Sequence, residues 1–284
     1  RAWRPAVVAR LARTLGVTED MDRRNALIAS LGWSFYAYGA EEPTSTIKLL
    51  FVGNSLTYYG NLPAVFDALS LASGKPCESQ MLVKGGSILH DRVADNSVAR
   101  ALKARRYDYV VLQERGGDVA GYMGAAAETK ARDAARNLAR IIKNQGSQSI
   151  YLGTYQGNPT ASAQIVSAES ELARSLSIPY VSVSDRLVFG LRTHPELQWF
   201  HDDGMHPGAE LTLLQAVRLF STIFGLHPAS QPLSVSAPIY GPGASFYPPA
   251  LASQRARIEK PVARERTYST EVIEEILAIA EAPK

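Results

Sequence analysis

The chain has 284 residues, 46% of them hydrophobic, which is enough apolar material for one sizeable α/β core. A formal net charge of +3, with basic residues scattered along the sequence, gives no reason to expect a nucleic-acid partner. The single cysteine, Cys77, excludes an internal disulfide, and no apolar run approaches the roughly 20 residues that stable membrane insertion needs.

The N-terminal extension, residues 1–43, contains a pattern typical of an export signal that begins at Met21. Arg23 and Arg24 give it a charged start, an apolar middle follows, and small residues close it near Ala40. This order is that of a secretory signal, and the paired arginines resemble a twin-arginine signal. We therefore expect a periplasmic or secreted protein. The alternative is an ordinary helix packed on the domain.

The first predicted strand is an apolar run from Leu49 to Val52, of the kind buried on both faces of a parallel sheet. Gly53 and Asn54 break the run with turn-forming residues, and Ser55 follows them. The Ser55 hydroxyl then stands at the carboxyl end of a central strand, where open α/β sheets place their ligands. It can act as a nucleophile if a base elsewhere takes its proton. The alternative is that Ser55 only caps the next helix.

Strands and helices alternate through the remainder of a predicted core domain, residues 44–227. Further strands are predicted over 78–83, 107–112, 149–154 and 179–183, and helices over 62–72, 98–106, 124–145, 161–175 and 208–224. The alternation predicts one parallel sheet of about five strands, with right-handed crossovers and helices on both faces.

The C-terminal segment, residues 228–284, is predicted to lie outside that domain. Its first part, 228–249, is dense in proline, glycine and serine, which indicates irregular surface backbone. Residues 270–280 predict a short helix with one apolar face, and Ser269 stands before it as the N-cap.

A second chemically informative stretch lies far along the chain, at Asp203-Gly204-Met205-His206-Pro207. A nucleophilic serine needs an imidazole to take and return its proton, and a carboxylate to hold the correct tautomer. A spacing of three residues lets Asp203 reach His206 within one loop. Such a pair alone is more often a solvated loop. Together with Ser55 in a strand-end turn, in this chain order, it indicates a hydrolytic triad.

Two blocks of the sequence resemble those of the SGNH hydrolases, also called the GDSL-like lipase/esterase superfamily. Gly53-Asn54-Ser55-Leu56-Thr57 is similar to their first block, with Asn in place of the usual Asp, and Asp203 to Pro207 to their last. The resemblance covers roughly 47–226. It implies a flavodoxin-like three-layer fold in which Ser55 is the nucleophile, His206 the base and Asp203 its orienting partner.

The middle blocks, which supply the oxyanion-hole donors of this family, match less closely. Gly86 is the best match to the second-block glycine, and Gly85 is the second choice. The third block is normally Gly-x-Asn-Asp, whereas this chain has Leu-Gln-Glu at 112–114, similar to a bacterial branch often known only as a domain of unknown function. The Gln113 amide can donate the same N–H. The resemblance therefore implies an oxyanion hole of Ser55, Gly86 and Gln113, with Asn158 as the rival donor.

Further residues of the sequence have side chains suited to binding. Asn54, Tyr58 and Asn158 are candidates for contacting substrate. Tyr59 could line a substrate groove beside Tyr58, although one of the two tyrosines could instead pack at the sheet edge. The remaining histidines lack a metal-binding spacing, and no phosphate-binding or dinucleotide glycine motif occurs, so we expect neither metal nor cofactor. The histidines in question are His90, His194 and His201.

The predicted function is hydrolysis of a carboxylic ester through an acyl-Ser55 intermediate. The expected substrate is a small molecule or carbohydrate that carries a short acyl group such as acetate, because exported bacterial proteins that resemble this superfamily are often deacetylases. Two alternatives stay open. One is an O-acyltransferase of the same architecture. The other is a non-catalytic carbohydrate-binding relative, against which the intact Ser55, Asp203 and His206 set argues.

Overall fold

The computed structural model of the protein describes residues 45–241, 243–246, 250–253 and 263–282. The predicted export signal lies outside these residues, so localisation stays a prediction, as do the domain boundaries. Within the described part of the chain, no helix is long and apolar enough to cross a membrane.

A central sheet of six strands carries the site. The described residues form eight strands: β1 (Ile47–Gly53), β2 (Cys77–Val83), β3 (Tyr109–Leu112), β4 (Gln148–Leu152), β5 (Tyr180–Val181), β6 (Leu233–Val235), β7 (Ala250–Ser253) and β8 (Arg266–Tyr268). Strands β6 and β8 form a separate pair. In the central sheet five strands are parallel, in the order β5-β4-β3-β1-β2, and β7 pairs antiparallel with β2 at the edge. The predicted five-stranded parallel sheet is confirmed, and the antiparallel edge strand is an addition.

Helices cover both faces of this sheet and form the outer two layers. They are α1 (Ser55–Tyr58), α2 (Leu62–Ala72), α3 (Leu89–Ala94), α4 (Ser97–Ala104), α5 (Ala125–Asn144), α6 (Pro159–Leu176), α7 (Ser184–Thr193), α8 (Ala209–Phe224) and α9 (Thr270–Glu281). The predicted helices and parallel strands lie within two residues of these bounds. Helices α1, α3 and α7 and strands β6 to β8 were not predicted.

The central strand β1 shows why the fold has three layers. Its side chains alternate between two separate apolar clusters: Leu49 and Phe51 pack with α2, α8 and α9, whereas Leu50 and Val52 pack with α4 and α5. All four are fully buried. Burying each such side chain contributes roughly 1.5–3 kcal/mol, so the uninterrupted apolar run fixes β1 at the centre of the molecule.

The chain beyond residue 227 packs on the same core. The prediction of irregular backbone over 228–249 is wrong at β6, which pairs antiparallel with β8. Helix α9 buries its apolar face in the cluster that holds α8, and Ser269 caps it by accepting a hydrogen bond from the Val272 N–H, as predicted. The Tyr240 carbonyl accepts from the Gly60 N–H at 2.9 Å, which ties this segment to the turn after α1.

Candidate active site

The structure brings the three residues of the predicted triad together. His206 Nε2 lies 2.8 Å from Ser55 Oγ, and His206 Nδ1 lies 2.6 Å from Asp203 Oδ2. Ser55 and His206 are 151 positions apart in the chain, so the fold and not local sequence creates this contact. The geometry allows proton transfer from the hydroxyl to the imidazole, with the carboxylate fixing the tautomer that has the proton on Nδ1.

The turn between β1 and α1 places the Ser55 hydroxyl. A Cβ at Gly53 would lie 2.1 Å from Thr57 Oγ1, so any larger residue there would displace the Thr57 side chain. Asn54, and not Ser55, is the helix cap: its Oδ1 accepts from the Leu56 N–H at 3.0 Å. The Asn54 Nδ2 donates to the Ser87 carbonyl at 3.1 Å, which holds the turn against the next loop.

Hydrogen bonds within the loop before α8 fix the position of Asp203 relative to His206. Asp203 Oδ1 accepts from the backbone N–H groups of Met205 and His206 at 3.0 and 2.9 Å, while Oδ2 faces the imidazole. Partial burial acts to raise the pKa of Asp203, but these two N–H groups and the His206 ring together lower that pKa to about 2. The carboxylate therefore stays charged beside the imidazole across the range in which enzymes work.

Two adjacent tyrosines have different positions relative to His206. The ring of Tyr59 lies 4.2 Å from the imidazole ring, centroid to centroid, at an interplanar angle of 35°. Tyr58, predicted to contact substrate, is buried instead against Tyr240 and Phe246 and lies outside the cavity lining. That prediction is wrong for Tyr58, because the short helix α1 turns its side chain into the core.

A cavity of about 660 Å³ opens at the Ser55 hydroxyl. Loops at the carboxyl ends of β1 to β4 supply most of its wall, as expected of a parallel sheet. Asn54, predicted to contact substrate, and Ser55 and Gly86, predicted to supply oxyanion donors, line it. Further lining residues come from the loops after β3 and β4 and from the segment before α8: Arg115, Gly116, Met123, Tyr155, Gln156, Gly157, Phe200, Gly204, Met205 and His206.

The position of Gln113 argues against the predicted place in an oxyanion hole. It is 1% exposed, its Oε1 accepts from Thr57 Oγ1 at 2.7 Å, and its Nε2 faces Gln215 Oε1 at 3.4 Å. The Gln113 N–H bonds to the Val52 carbonyl and so extends β3 by one residue. Strand alternation then puts its side chain on the same face as Val111, toward the core and not the cavity.

The rival donor, Asn158, caps a helix outside the cavity lining. Its Oδ1 accepts from the Ala161 N–H at 3.0 Å as the cap of α6, and it does not line the cavity. Gly86, with a φ of +66°, does line it. Gly116 lines it as well, and the sequence signal for this residue was the glycine pair that follows the third strand.

A buried glutamic acid side chain, for which no sequence motif predicts a role, links two of these loops. Glu114 is fully buried, and it accepts from the N–H groups of Leu89 and Arg115 at 3.1 and 2.8 Å. Burial raises the pKa of Glu114 to about 8, although the two N–H groups oppose that rise. Glu114 thus joins the loop that carries Gly116 to the start of α3, just after the loop that carries Gly86.

Two of the histidines outside the triad contact other side chains. His194 Nδ1 lies 3.4 Å from Glu196 Oε1, and His201 packs edge-on to the ring of Tyr59. Within the described ranges, no three His, Cys, Asp or Glu side chains are grouped closely enough to hold a metal ion.

The chain is similar to known proteins in structure, as superposition on solved structures shows. No family model matches the chain, and no curated protein matches it. A candidate SGNH hydrolase from Slackia heliotrinireducens superposes with a TM-score of 0.51 and 21% identity, over 63% of this chain and 99% of that one. A DUF4886 family protein from Bacteroides uniformis superposes with a TM-score of 0.52 and 16% identity, over 64% of this chain and 84% of that one. An acetylxylan esterase from Geobacillus stearothermophilus superposes with a TM-score of 0.50 and 17% identity, over 64% of this chain and 97% of that one.

These likenesses, together with the sheet order, show that the chain has the three-layer α/β fold of the SGNH hydrolases, as the two sequence blocks imply. The significance of Leu-Gln-Glu at 112–114 stays a prediction. Since the superpositions cover under two thirds of this chain, more than a third of it lies beyond the shared part.

Proposed function

We propose that this protein is a serine esterase that hydrolyses a carboxylic ester through an acyl intermediate on Ser55. The observation that carries the proposal is the continuous line of hydrogen bonds from Ser55 Oγ through His206 to Asp203, with the hydroxyl opening on the cavity. The fold, shared with hydrolases and an acetylxylan esterase, supports the same class of reaction.

In the first half-reaction, His206 Nε2 accepts the Ser55 proton while Oγ attacks the ester carbonyl carbon. The imidazolium is stabilised by Asp203 and returns the proton to the departing alcohol oxygen, which leaves the acyl group on Ser55. In the second half, His206 takes a proton from water, the resulting hydroxide attacks the acyl carbon, and Ser55 regains its proton as the carboxylic acid is released.

The negative charge on the carbonyl oxygen needs donors that are already in place. We assign these to backbone N–H groups, those of Ser55 and Gly86, with Gly116 as the third candidate in place of the Gln113 side chain. All three residues line the cavity. Losing one well-placed donor of this kind costs about 100- to 1000-fold in kcat.

The substrate class that we propose is a short acyl ester, such as acetate, on a carbohydrate. Tyr155 and Phe200 lie in the cavity wall with their ring centroids 6.2 Å apart, and such rings present flat apolar surface to the C–H faces of a sugar. The signal-like residues from Met21 support export, which would bring the enzyme to extracellular glycans.

A fluorophosphonate probe and a chain-length series of p-nitrophenyl esters test the assignment. The probe should label Ser55, and Ser55→Ala should abolish both the labelling and the hydrolysis while leaving the circular dichroism spectrum unchanged. Ser167→Ala, an exposed serine on α6, is the matched control and should behave as wild type. Labelling that persists in Ser55→Ala, or hydrolysis at the wild-type rate, would overturn the proposal.

A further inference from the structure

One positively charged side chain, that of Arg115, lines the cavity. Of the described residues that line it, Arg115 is the only one with a permanent charge, and none is an aspartate or a glutamate. Met123, Tyr155 and Phe200 give the same cavity apolar surface. A charge beside such surface is screened less than in bulk water, so its attraction for an anion is strengthened.

Hydrogen bonds to the buried side chain of Asp118 hold the Arg115 side chain in position. Its Nε and Nη2 donate to Asp118 Oδ1 at 3.3 and 3.0 Å, and its backbone N–H donates to Glu114 Oε1 at 2.8 Å. The Asp118 side chain is 2% exposed, whereas that of Arg115 is 41% exposed. The acid therefore cannot meet a ligand directly, and the guanidinium can.

The guanidinium retains binding capacity toward the cavity. Among the described residues, Arg115 Nη1 has no hydrogen-bond partner, since both contacts to Asp118 use the other two nitrogens. A planar fork that is already oriented loses less side-chain entropy when it binds a carboxylate than a free arginine would. Hydrogen bonds to ionised partners are also the stronger kind.

We propose that Arg115 recognises a carboxylate carried by the substrate, so that the cavity selects anionic esters over neutral ones. The inference rests on the proposed esterase function and adds a substrate class to it. The carboxylate can belong to the alcohol part, as in an acylated uronic acid, or to the acyl part, as in the monoester of a dicarboxylic acid. The chemistry that Arg115 recognises is the same in both.

Two matched pairs of esters distinguish the two positions of the carboxylate. On the alcohol side, 4-acetoxybenzoate is compared with phenyl acetate, and on the acyl side, mono-4-nitrophenyl adipate with 4-nitrophenyl hexanoate. The measurement is the ratio of kcat/KM for the anionic ester to that for its neutral partner. In Arg115→Gln this ratio should fall about 10- to 100-fold for one pair, as expected for the loss of a hydrogen bond to a charged group. The pair that responds identifies the side that carries the carboxylate.

Two further variants distinguish the contribution of the planar guanidinium group from that of its positive charge alone. Arg136→Gln removes the same charge from an exposed arginine on α5 that pairs with Asp133, and it should leave both ratios unchanged. Arg115→Lys keeps a charge without the fork and should give an intermediate ratio. The proposal is overturned if neither ratio changes by more than twofold in Arg115→Gln, or if Arg136→Gln changes them equally.

Failure of the esterase assignment would be visible separately. If wild type hydrolyses none of the four esters, calorimetric titration with 4-hydroxybenzoate and with adipate still tests Arg115. Binding that weakens about tenfold or more in Arg115→Gln would support the carboxylate site without ester hydrolysis. The carboxylate site would be overturned if wild type and Arg115→Gln bind both ligands with equal affinity, or if wild type binds neither ligand.

Discussion

The phenol ring of Tyr59 covers one face of the His206 imidazole, with 4.2 Å between the ring centroids and 35° between the ring planes. His206 is hydrogen-bonded at both nitrogens, so the only remaining freedom of the ring is a rotation that would break one of these bonds. Tyr59 opposes that rotation by packing. It is itself 8% exposed and bridges to Tyr240 in the C-terminal segment.

We therefore expect Tyr59→Leu to lower kcat about 10- to 100-fold, because a small displacement of a catalytic base costs that much. Tyr59→Phe keeps the ring and should retain at least a third of the wild-type rate. Both variants are measured on 4-nitrophenyl acetate, with their thermal unfolding midpoints recorded alongside. Equal activity of Tyr59→Leu and wild type would mean that His206 is positioned without this ring.

Asp203 gives a prediction about both rate and acid stability. Asp203→Asn should lower kcat about 1,000- to 10,000-fold, because the amide no longer enforces the imidazole tautomer that the Ser55 proton requires. Asp202→Asn, at the exposed neighbouring position, is the matched control and should leave kcat within twofold. Comparable losses in the two variants would show that a nonspecific charge effect, and not the contact with His206, is responsible.

The sign of the stability effect follows from the depressed pKa of Asp203, about 2. A carboxyl group whose pKa is lower in the folded than in the unfolded protein stabilises the fold above its unfolded value of about 3.9. That contribution is lost as the pH falls through 2. The difference in unfolding free energy between wild type and Asp203→Asn should therefore shrink between about pH 4 and pH 2, measured by urea denaturation.

Glu114 predicts a dependence of the opposite sign. Because burial raises its pKa to about 8, the folded protein holds a proton there that the unfolded chain has released above about pH 4.3. Wild type should lose stability relative to Glu114→Gln as the pH rises from about 5 to 8, and the difference should stay constant above that. Glu171→Gln, exposed on α6, serves as the control. Parallel pH profiles of unfolding for wild type and Glu114→Gln would contradict the assignment.

The sequence predicted the parts of the fold whose cause is local. The run from Leu49 to Val52 could only be a strand buried on both sides, and Ser269 and the helix after it follow capping rules that need no distant partner. The edge strand β7 was missed because Ala-Leu-Ala-Ser has little strand propensity of its own, and its pairing with β2 is a tertiary event.

The site divides in the same way. Ser55, Asp203 and His206 could be predicted because two short blocks carry them in a recognisable order. Gln113 could not be placed correctly, since the family pattern gives an amide after the third strand without saying which face of the sheet it takes. Tyr59 was missed as a partner of His206 because no sequence spacing connects a residue of the first turn to one 147 positions later.

The buried amide of Gln113 leads to a prediction that separates stability from catalysis. Gln113→Leu leaves Thr57 Oγ1 and Gln215 without their partner and should lower the unfolding free energy by about 1–3 kcal/mol. The folded fraction should keep kcat within about tenfold. Asn158→Ala, which removes only the cap of α6, should cost about 1 kcal/mol. A stable Gln113→Leu variant whose kcat falls 100-fold or more would restore Gln113 to the oxyanion hole.

The last prediction concerns Asn61, where the C-terminal segment meets the turn after α1. Asn61 is fully buried in the left-handed region at φ +54°, its Oδ1 caps α2 at the Ala64 N–H, and its Nδ2 donates to the Pro238 carbonyl at 2.8 Å. Two substitutions separate the side-chain hydrogen bonds from the backbone preference. Asn61→Gly suits the left-handed backbone but removes both the cap and the donor to Pro238.

Asn61→Ala removes the cap and the donor and adds left-handed strain of about 1–2 kcal/mol. We expect Asn61→Gly to lower the unfolding free energy by about 1–3 kcal/mol and Asn61→Ala by about 3–5 kcal/mol, measured by urea denaturation. Because this turn also carries Tyr59, kcat should fall in the same order. Asn144→Ala, at the exposed end of α5, is the control. If both variants unfold like wild type, the contact with Pro238 does not anchor the segment, and the Tyr59 ring is held in place by its contacts with the rings of Tyr58 and His201.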